Sequence, residues 1–78
     1  MIYIATFYSH FGAVRYKKYC ENRGISARMM PVPRSLSSSC GTCVKYEGEL
    51  QMPDGACDEE IEQIVRQLDS GYEVVYSS

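Results

Sequence analysis

The side chains best suited to chemistry in this sequence are two cysteines separated by two residues, in the segment Cys40-Gly41-Thr42-Cys43. Two thiols at this spacing can close a small disulfide, lower each other's proton affinity or supply two ligands to a metal ion. An ordinary hydrophobic core seldom requires this spacing. The pair therefore indicates thiol chemistry and leaves open which kind.

A polar loop precedes Cys40 and favours a chemical role for this thiol. Three serines at positions 37–39 supply hydroxyls and backbone N–H groups suited to holding a persulfide or selenide anion, and Gly41 leaves space for an approaching group. Arg34 is close enough in sequence to stabilise the thiolate. The sequence therefore predicts Cys40 as a nucleophile, with these substrate-binding residues: Arg34, Ser38, Ser39 and Gly41.

Cys43 is the second candidate catalytic residue, and its role depends on where the following strand begins. Residues i and i+3 of a regular strand point to opposite faces, so a strand that begins at Cys40 would hold the two thiols apart. If the strand begins after Cys43, both thiols lie in the loop and can form a reversible disulfide. The sequence leaves both arrangements open.

The other two cysteines are given structural or minor roles. Cys20 falls on the apolar stripe of the first predicted helix, where a free cysteine behaves as a small hydrophobe. Cys57 lies near the start of the second predicted helix and is interpreted as a minor thiol. A zinc site built from Cys40 and Cys43 with His10 or Cys57 is a weaker alternative, because one CxxC supplies only half a site. We therefore predict no metal and no cofactor.

Hydrophobic periodicity predicts the elements that must position these thiols, in the order β-α-β-β-α-β. Strands are expected over Ile2 to Ser9, Ile25 to Val32, a segment ending at Tyr46, and Tyr72 to Tyr76. The first helix is expected from Ala13 to Arg23, after a turn that contains His10. The prolines of the segment Pro31-Val32-Pro33 place the second strand at a sheet edge or at the point where the chain leaves the sheet.

The second helix has the clearest helical pattern in the sequence. It is expected to begin at Cys57 or Asp58 and to stop at Gly71. Four apolar residues fall at i, i+3, i+4 and i+7, namely Ile61, Ile64, Val65 and Leu68. The acidic residues of this segment are interpreted as its solvated face: Asp58, Glu59, Glu60 and Glu62.

This order of elements predicts a ferredoxin-like α+β sandwich, with four antiparallel strands and both helices on one face. The other face would be uncovered, and depending on register it would carry an aromatic surface formed by Tyr3, Phe7, Tyr72 and Tyr76. Such a surface is suited to homodimerisation or partner docking, and scattered exposure of single tyrosines is the equal alternative.

Composition limits the classes of partner and the location. A chain of 78 residues supports one core, so residues 1–78 are predicted to form a single domain. The net charge of −2 argues against nucleic-acid and anionic-membrane binding. The N-terminus lacks the pattern of a signal peptide, and no apolar run is long enough to span a bilayer. We therefore expect a cytoplasmic protein rather than a secreted disulfide scaffold, and in a reducing cytoplasm a CxxC pair is more often redox-active, metal-binding or involved in sulfur handling.

The chain resembles a family of small bacterial and archaeal proteins described as selenium/sulfur carrier-like. The resemblance covers nearly the whole chain and rests on a Pro-x-Pro-Arg segment, Pro31 to Arg34, that leads to Ser-x-Cys-Gly at Ser38 to Gly41. It implies a single carrier cysteine, which maps onto Cys40, with Arg34, Ser38 and Gly41 matching the motif around it. The position of Cys43 is usually a small or apolar residue in that pattern, so this chain departs from it by a second thiol.

The leading hypothesis is a carrier protein, rather than a conventional enzyme, that holds a persulfide or selenosulfide on Cys40. Its partners would be proteins that donate and accept the sulfur or selenium atom. Two alternatives remain open. One is an interaction or regulatory module that uses the aromatic sheet face, and the other is a redox protein that cycles Cys40 and Cys43 between dithiol and disulfide.

Overall fold

The computed structural model describes residues 1–53 and 59–77, and it forms one antiparallel sheet with a helix packed on one face. The strand order is β2-β3-β1-β4-β5, and every neighbouring pair is antiparallel. The elements are β1 (Ile2–Phe7), α1 (His10–Asn22), β2 (Ala27–Pro31), β3 (Thr42–Glu47), β4 (Ile61–Leu68) and β5 (Gly71–Ser77). The expected α+β class is confirmed, but the ferredoxin-like layout with two helices is not.

The central strand β1 is buried on both faces of the sheet. Tyr3, Ala5 and Phe7 point towards α1 and belong to the main hydrophobic core, whereas Ile4 belongs to a second cluster on the opposite side. We call these two sides the helix face and the second face. Because successive side chains of β1 point to opposite faces of the sheet, the fold has one large core on the helix face and one small core on the second face.

Helix α1 begins at His10, earlier than the expected start at Ala13. Ser9 has extended backbone angles and acts as the N-cap, because its hydroxyl accepts a hydrogen bond of 3.2 Å from the backbone N–H of Gly12. The segment interpreted as a turn is therefore the first turn of the helix. Cys20 is fully buried on the core side of α1, which confirms its interpretation as a core residue.

The second predicted helix is wrong over the residues that the structure describes. Residues 61–68 form β4, which lies between β1 and β5 and pairs with both. The expected start of this helix, at Cys57 or Asp58, lies outside the described residues. Glu60 and Glu62 are half-buried and hold polar contacts, so their interpretation as a solvated helix face is also wrong.

The aromatic surface expected on the open sheet face does not form, and it therefore gives no basis for a homodimer. Tyr3 and Phe7 are buried in the main core beneath α1. Tyr76 packs against the same core, whereas Tyr72 packs against the second cluster. The register of the sheet thus places three of the four aromatic residues at the main core and only Tyr72 on the second face, so they do not form one open surface.

The second face is partly covered by the chain that follows β2. Its hydrophobic cluster consists of the buried residues Ile4, Cys43 and Val65. Val32 and Leu36, from the segment after β2, pack against them. The prediction for Pro31 is confirmed, because β2 is an edge strand and ends at that residue.

Among the described residues, no helix has the length and hydropathy needed to cross a membrane.

Candidate functional site

The cysteine pair lies where a long loop enters β3. This loop, residues 32–41, is called the thiol loop below. Its ends are joined by a hydrogen bond of 3.1 Å from the backbone N–H of Val32 to the carbonyl oxygen of Gly41, directly beyond the paired residues Pro31 and Thr42. The β2–β3 ladder therefore holds both ends of the loop, and it fixes Cys40 next to the sheet.

Gly41 gives the chain the backbone angle required to enter β3. Its φ is +75°, a conformation that side chains with a Cβ rarely adopt. No atom would lie within 4 Å of a Cβ at this position, so the conformation, and not steric space, requires glycine here. The expectation that the surroundings of Gly41 are open is consistent with this geometry.

Ser38 and Ser39 attach the thiol loop to the end of the sheet. The hydroxyl of Ser38 donates to the carbonyl oxygen of Phe7 at 3.3 Å. Ser39 donates twice to the carboxylate of Glu62, through its backbone N–H at 3.2 Å and its hydroxyl at 3.0 Å. In this conformation both hydroxyls donate to the sheet, so the two serines position the loop, and their binding of an anion stays a prediction.

Glu62 is a site residue that the sequence pattern did not reveal. In the β1–β4 ladder Thr6 pairs with Gln63 and Phe7 pairs with Ile61, so Glu62 is the extra residue of a β-bulge. The bulge allows the Glu62 carboxylate to accept hydrogen bonds from Ser39 and from the hydroxyl of Thr6 at 3.5 Å. A bulge has no characteristic spacing of hydrophobic residues in the sequence. Only the strand pairing in the structure reveals this contact.

Cys40 is the more accessible of the two paired thiols. It is half-buried, packs against the main core and donates from Sγ to the carbonyl oxygen of Thr42 at 3.4 Å. His10 lies near the same residue, with Nδ1 3.5 Å from the hydroxyl oxygen of Thr42. The N-terminal turn of α1 therefore lies beside the start of β3, a proximity that the sequence analysis considered only in the zinc alternative.

Cys43 lies within β3 and is fully buried on the second face. Its Sγ donates to the carbonyl oxygen of Pro31 at 3.7 Å. Burial raises the pKa of the Cys43 thiol to about 11; the nearby Cys40 also raises it, and Lys45 acts in the opposite direction. The thiol is therefore protonated at neutral pH.

The strand begins between the two cysteines, an arrangement intermediate between the two that the sequence left open. Cys40 contacts the main core, Cys43 belongs to the second cluster, and both are free thiols. The two thiols therefore pack on different faces of the sheet and do not share one cluster. The geometry supports separate roles for the two thiols.

Arg34 is not held against Cys40 in this structure. It lies exposed in a turn in which the backbone N–H of Leu36 donates to the carbonyl oxygen of Pro33 at 3.0 Å. The structure shows no hydrogen bond or ion pair between its guanidinium and any described residue. Stabilisation of the Cys40 thiolate by Arg34 therefore stays a prediction.

The zinc alternative finds no assembled ligand set in the described part of the chain. Within residues 1–53 and 59–77, no three side chains of the types His, Cys, Asp and Glu form a group that could hold a metal ion. Cys57, one of the ligands considered, lies outside these residues.

Comparison with known proteins gives one match that covers almost the whole chain. The family model with the description "Putative Se/S carrier protein-like" matches residues 2–77. No curated protein and no solved structure matches the chain.

Proposed function

Because the chain belongs to the putative Se/S carrier protein-like family, we propose that it carries a sulfur or selenium atom on Cys40 and passes it to a partner protein. The observation that carries this proposal is the placement of Cys40 at the end of an anchored loop, half-exposed and next to open space at Gly41. Residues 1–78 act as one carrier domain in this proposal.

The proposed loading reaction is an exchange between sulfur atoms that requires no external oxidant or reductant. The Cys40 thiolate attacks the outer sulfur of a persulfide on a donor protein. A new S–S bond forms on Cys40, the S–S bond of the donor breaks, and the donor leaves as a thiolate that takes up the proton lost by Cys40. A donor that holds a terminal selenium atom would load a selenosulfide in the same way.

Unloading repeats the exchange in the opposite direction. A nucleophile on the acceptor protein attacks the terminal sulfur or selenium atom, and the Cys40 thiolate is the leaving group. The proposed partners are therefore a donor protein and an acceptor protein. Because the reaction starts from a reduced thiol, the proposed location is a reducing cytoplasm.

The contrast between the two cysteines supports assigning the carried atom to Cys40. Thiolates, and not thiols, are the nucleophiles in this exchange. Burial raises the pKa of Cys43 to about 11 and also removes it from contact with a partner protein. Cys43 is therefore proposed as a packing residue of the second face that does not take part in loading.

The thiol loop also has features that suit a carried anion. Ser38 and Ser39 hold the loop in place, which lowers the entropy cost of presenting Cys40 to a partner. Arg34 is exposed and has no acidic partner among the described residues, so its guanidinium is available to a negatively charged persulfide.

The test is intact mass spectrometry with cysteine mapping after anaerobic exposure to a persulfide donor. The wild type is expected to gain one sulfur atom at Cys40, and Cys43→Ser is expected to gain it at the same site. Cys40→Ser should gain none. Unchanged sulfur uptake by Cys40→Ser would contradict the proposal, and a Cys40–Cys43 disulfide as the main product would favour the dithiol redox alternative.

A further inference from the structure

A second polar site lies at the end of β3 away from the thiol loop. A groove of about 420 Å³ opens there, lined by side chains from β1, β2 and β3 and the segment before β2. This volume lies within the range of small-molecule sites. The groove includes Arg28 and Lys45 but none of the residues assigned to the carrier chemistry.

Two positively charged residues lie side by side at this groove. Arg28 and Lys45 are directly opposite in the antiparallel β2–β3 pair, so their side chains are neighbours on the second face. Like charges in this position repel each other and destabilise the pair of strands. The chain has a net charge of −2, so it contains acidic residues that could neutralise these cations. Arg28 and Lys45 are nevertheless direct neighbours across the β2–β3 pair.

Neither cation is neutralised within the described part of the chain. Ion pairs with carboxylates are formed by three other cations, Arg15, Lys17 and Arg66. Glu47 also lines the groove and lies two residues from Lys45 on the same strand, but it forms no ion pair with Arg28 or Lys45. The charged residues that line the groove are two cations and one anion, so their formal charges sum to +1 and the groove retains an attraction for an anion.

The other lining residues complete a site for a group with several oxygen atoms. Ser26 contributes a hydroxyl-bearing residue next to Arg28, and Ile2 contributes an apolar side chain at the other side of the groove. An arginine guanidinium binds two oxygen atoms of a phosphate at once, and a lysine ammonium supplies a further positive charge. Two cations suit a doubly charged phosphate better than a singly charged carboxylate.

We propose that this groove binds the phosphate group of a small molecule between Arg28 and Lys45. Binding would replace the repulsion between the two cations with attraction to a shared anion. The site is independent of the proposed carrier function, since the groove and the thiol loop lie at opposite ends of β3.

The experiment is an NMR titration of the ¹⁵N-labelled full chain with inorganic phosphate, at an ionic strength held constant with sodium chloride. Saturable shifts are expected at the amides of residues 26–28 and 45–47. Arg28→Gln and Lys45→Gln should each weaken phosphate binding by about tenfold or more, because each removes a charge-assisted hydrogen bond. The matched control is Lys18→Gln, which removes an exposed positive charge on α1 and should leave the affinity unchanged.

Three results would overturn the proposal. The first is an equal response to sodium chloride alone, which would indicate a nonspecific effect of salt. The second is an equal loss of affinity in Lys18→Gln, and the third is saturable binding that maps away from the groove. Arg28 is exposed and Lys45 is half-buried, so both variants are expected to fold, and the amide spectrum of each variant checks this directly.

Discussion

Cys40 and Cys43 donate hydrogen bonds to carbonyl oxygens on two different strands, although only two residues separate them. The acceptor for Cys40 is Thr42 in β3, and the acceptor for Cys43 is Pro31 in β2. Cys40 packs against the main core, and Cys43 belongs to the cluster on the second face. The CxxC spacing therefore joins one accessible thiol to one buried thiol.

The first prediction concerns the reactivity of Cys43 towards an alkylating reagent. The pKa of Cys43 is about 11 in the fold, against an ordinary value of 9.0, so its thiolate fraction at neutral pH is about a hundredfold lower than in the unfolded chain. In Cys40→Ser, which keeps the burial that is the main cause of the raised pKa, alkylation mapped by peptide mass spectrometry should be many-fold slower at Cys43 in the native protein than in urea. Equal rates in the two conditions would contradict the buried position.

The sequence predicted the first half of the fold better than the second. The alternation in β1 and the apolar stripe of α1 are local signals, and both elements formed with shifts of a few residues at their ends. Pro31 correctly indicated an edge strand, because proline has no backbone N–H to donate and an interior strand is hydrogen-bonded to a neighbour on each side. These are properties that neighbouring residues determine without help from the rest of the chain.

Strand β4 shows why the helical spacing of its apolar residues predicted the wrong element. Ile64 and Val65 are adjacent and both fully buried, because this sheet buries residues on both faces: Ile64 on the helix face and Val65 on the second face. The bulge at Glu62, in the ladder with β1, also breaks the strict alternation of β4. Leu68, which completed the helical stripe, is 40% exposed. Tertiary pairing with β1 and β5, which the local pattern does not contain, decides the structure here.

The candidate site was predictable only as a set of residue types. The sequence indicated Cys40 and the serine loop, but not which partners hold them. Glu62 comes from a bulge, and His10 comes from a helix that starts earlier than its apolar pattern does. Both contacts join residues far apart in sequence, and no spacing rule relates them to Cys40.

The second prediction is a loss of stability at alkaline pH. Burial raises the pKa of the Cys43 thiol to about 11, and burial also raises the pKa values of Tyr16 and Tyr46. Because the unfolded chain releases these protons first, the free energy of unfolding falls as pH rises above about 9. The contribution of Cys43 is lost between about pH 9 and 11 and amounts to at most about 3 kcal/mol.

Urea unfolding monitored by circular dichroism at several pH values measures this effect. Cys43→Ala removes one of the three groups, so its stability should decline less steeply than that of the wild type between pH 9 and 11. Parallel declines in the two proteins would show that Cys43 does not contribute. A rise in stability over this range would contradict the assignment of all three groups.

The third prediction concerns the anchor of the thiol loop. Glu62→Ala removes the acceptor for both donors of Ser39 and for the hydroxyl of Thr6, so the loop should separate more readily from the sheet. We expect a loss of about 1 to 2 kcal/mol in unfolding free energy and faster hydrogen exchange at the Ser39 amide. Glu59→Ala, at an exposed position nearby, is the control and should change neither quantity. Unchanged exchange at Ser39 in Glu62→Ala would exclude the anchor.

The last prediction tests the contact between α1 and the residue that precedes β4. A Cβ added at Gly12 would lie 2.7 Å from the Cβ of Glu60 and 3.3 Å from its carbonyl oxygen. The Glu60 carbonyl also accepts a hydrogen bond of 3.0 Å from the backbone N–H of Tyr8, which limits how far this segment can move. Gly12→Ala should therefore destabilise the fold by about 1 to 3 kcal/mol, despite a gain of up to about 1 kcal/mol in helix propensity.

A double-mutant cycle with Glu60→Gly distinguishes a clash at this contact from a general effect on α1. Glu60→Gly removes the Cβ that the new methyl group would meet, so Gly12→Ala should cost clearly less in the Glu60→Gly background than in the wild type. Chemical denaturation of the four proteins gives the coupling. An equal cost in both backgrounds would show that Gly12 is required for a reason other than its close approach to Glu60.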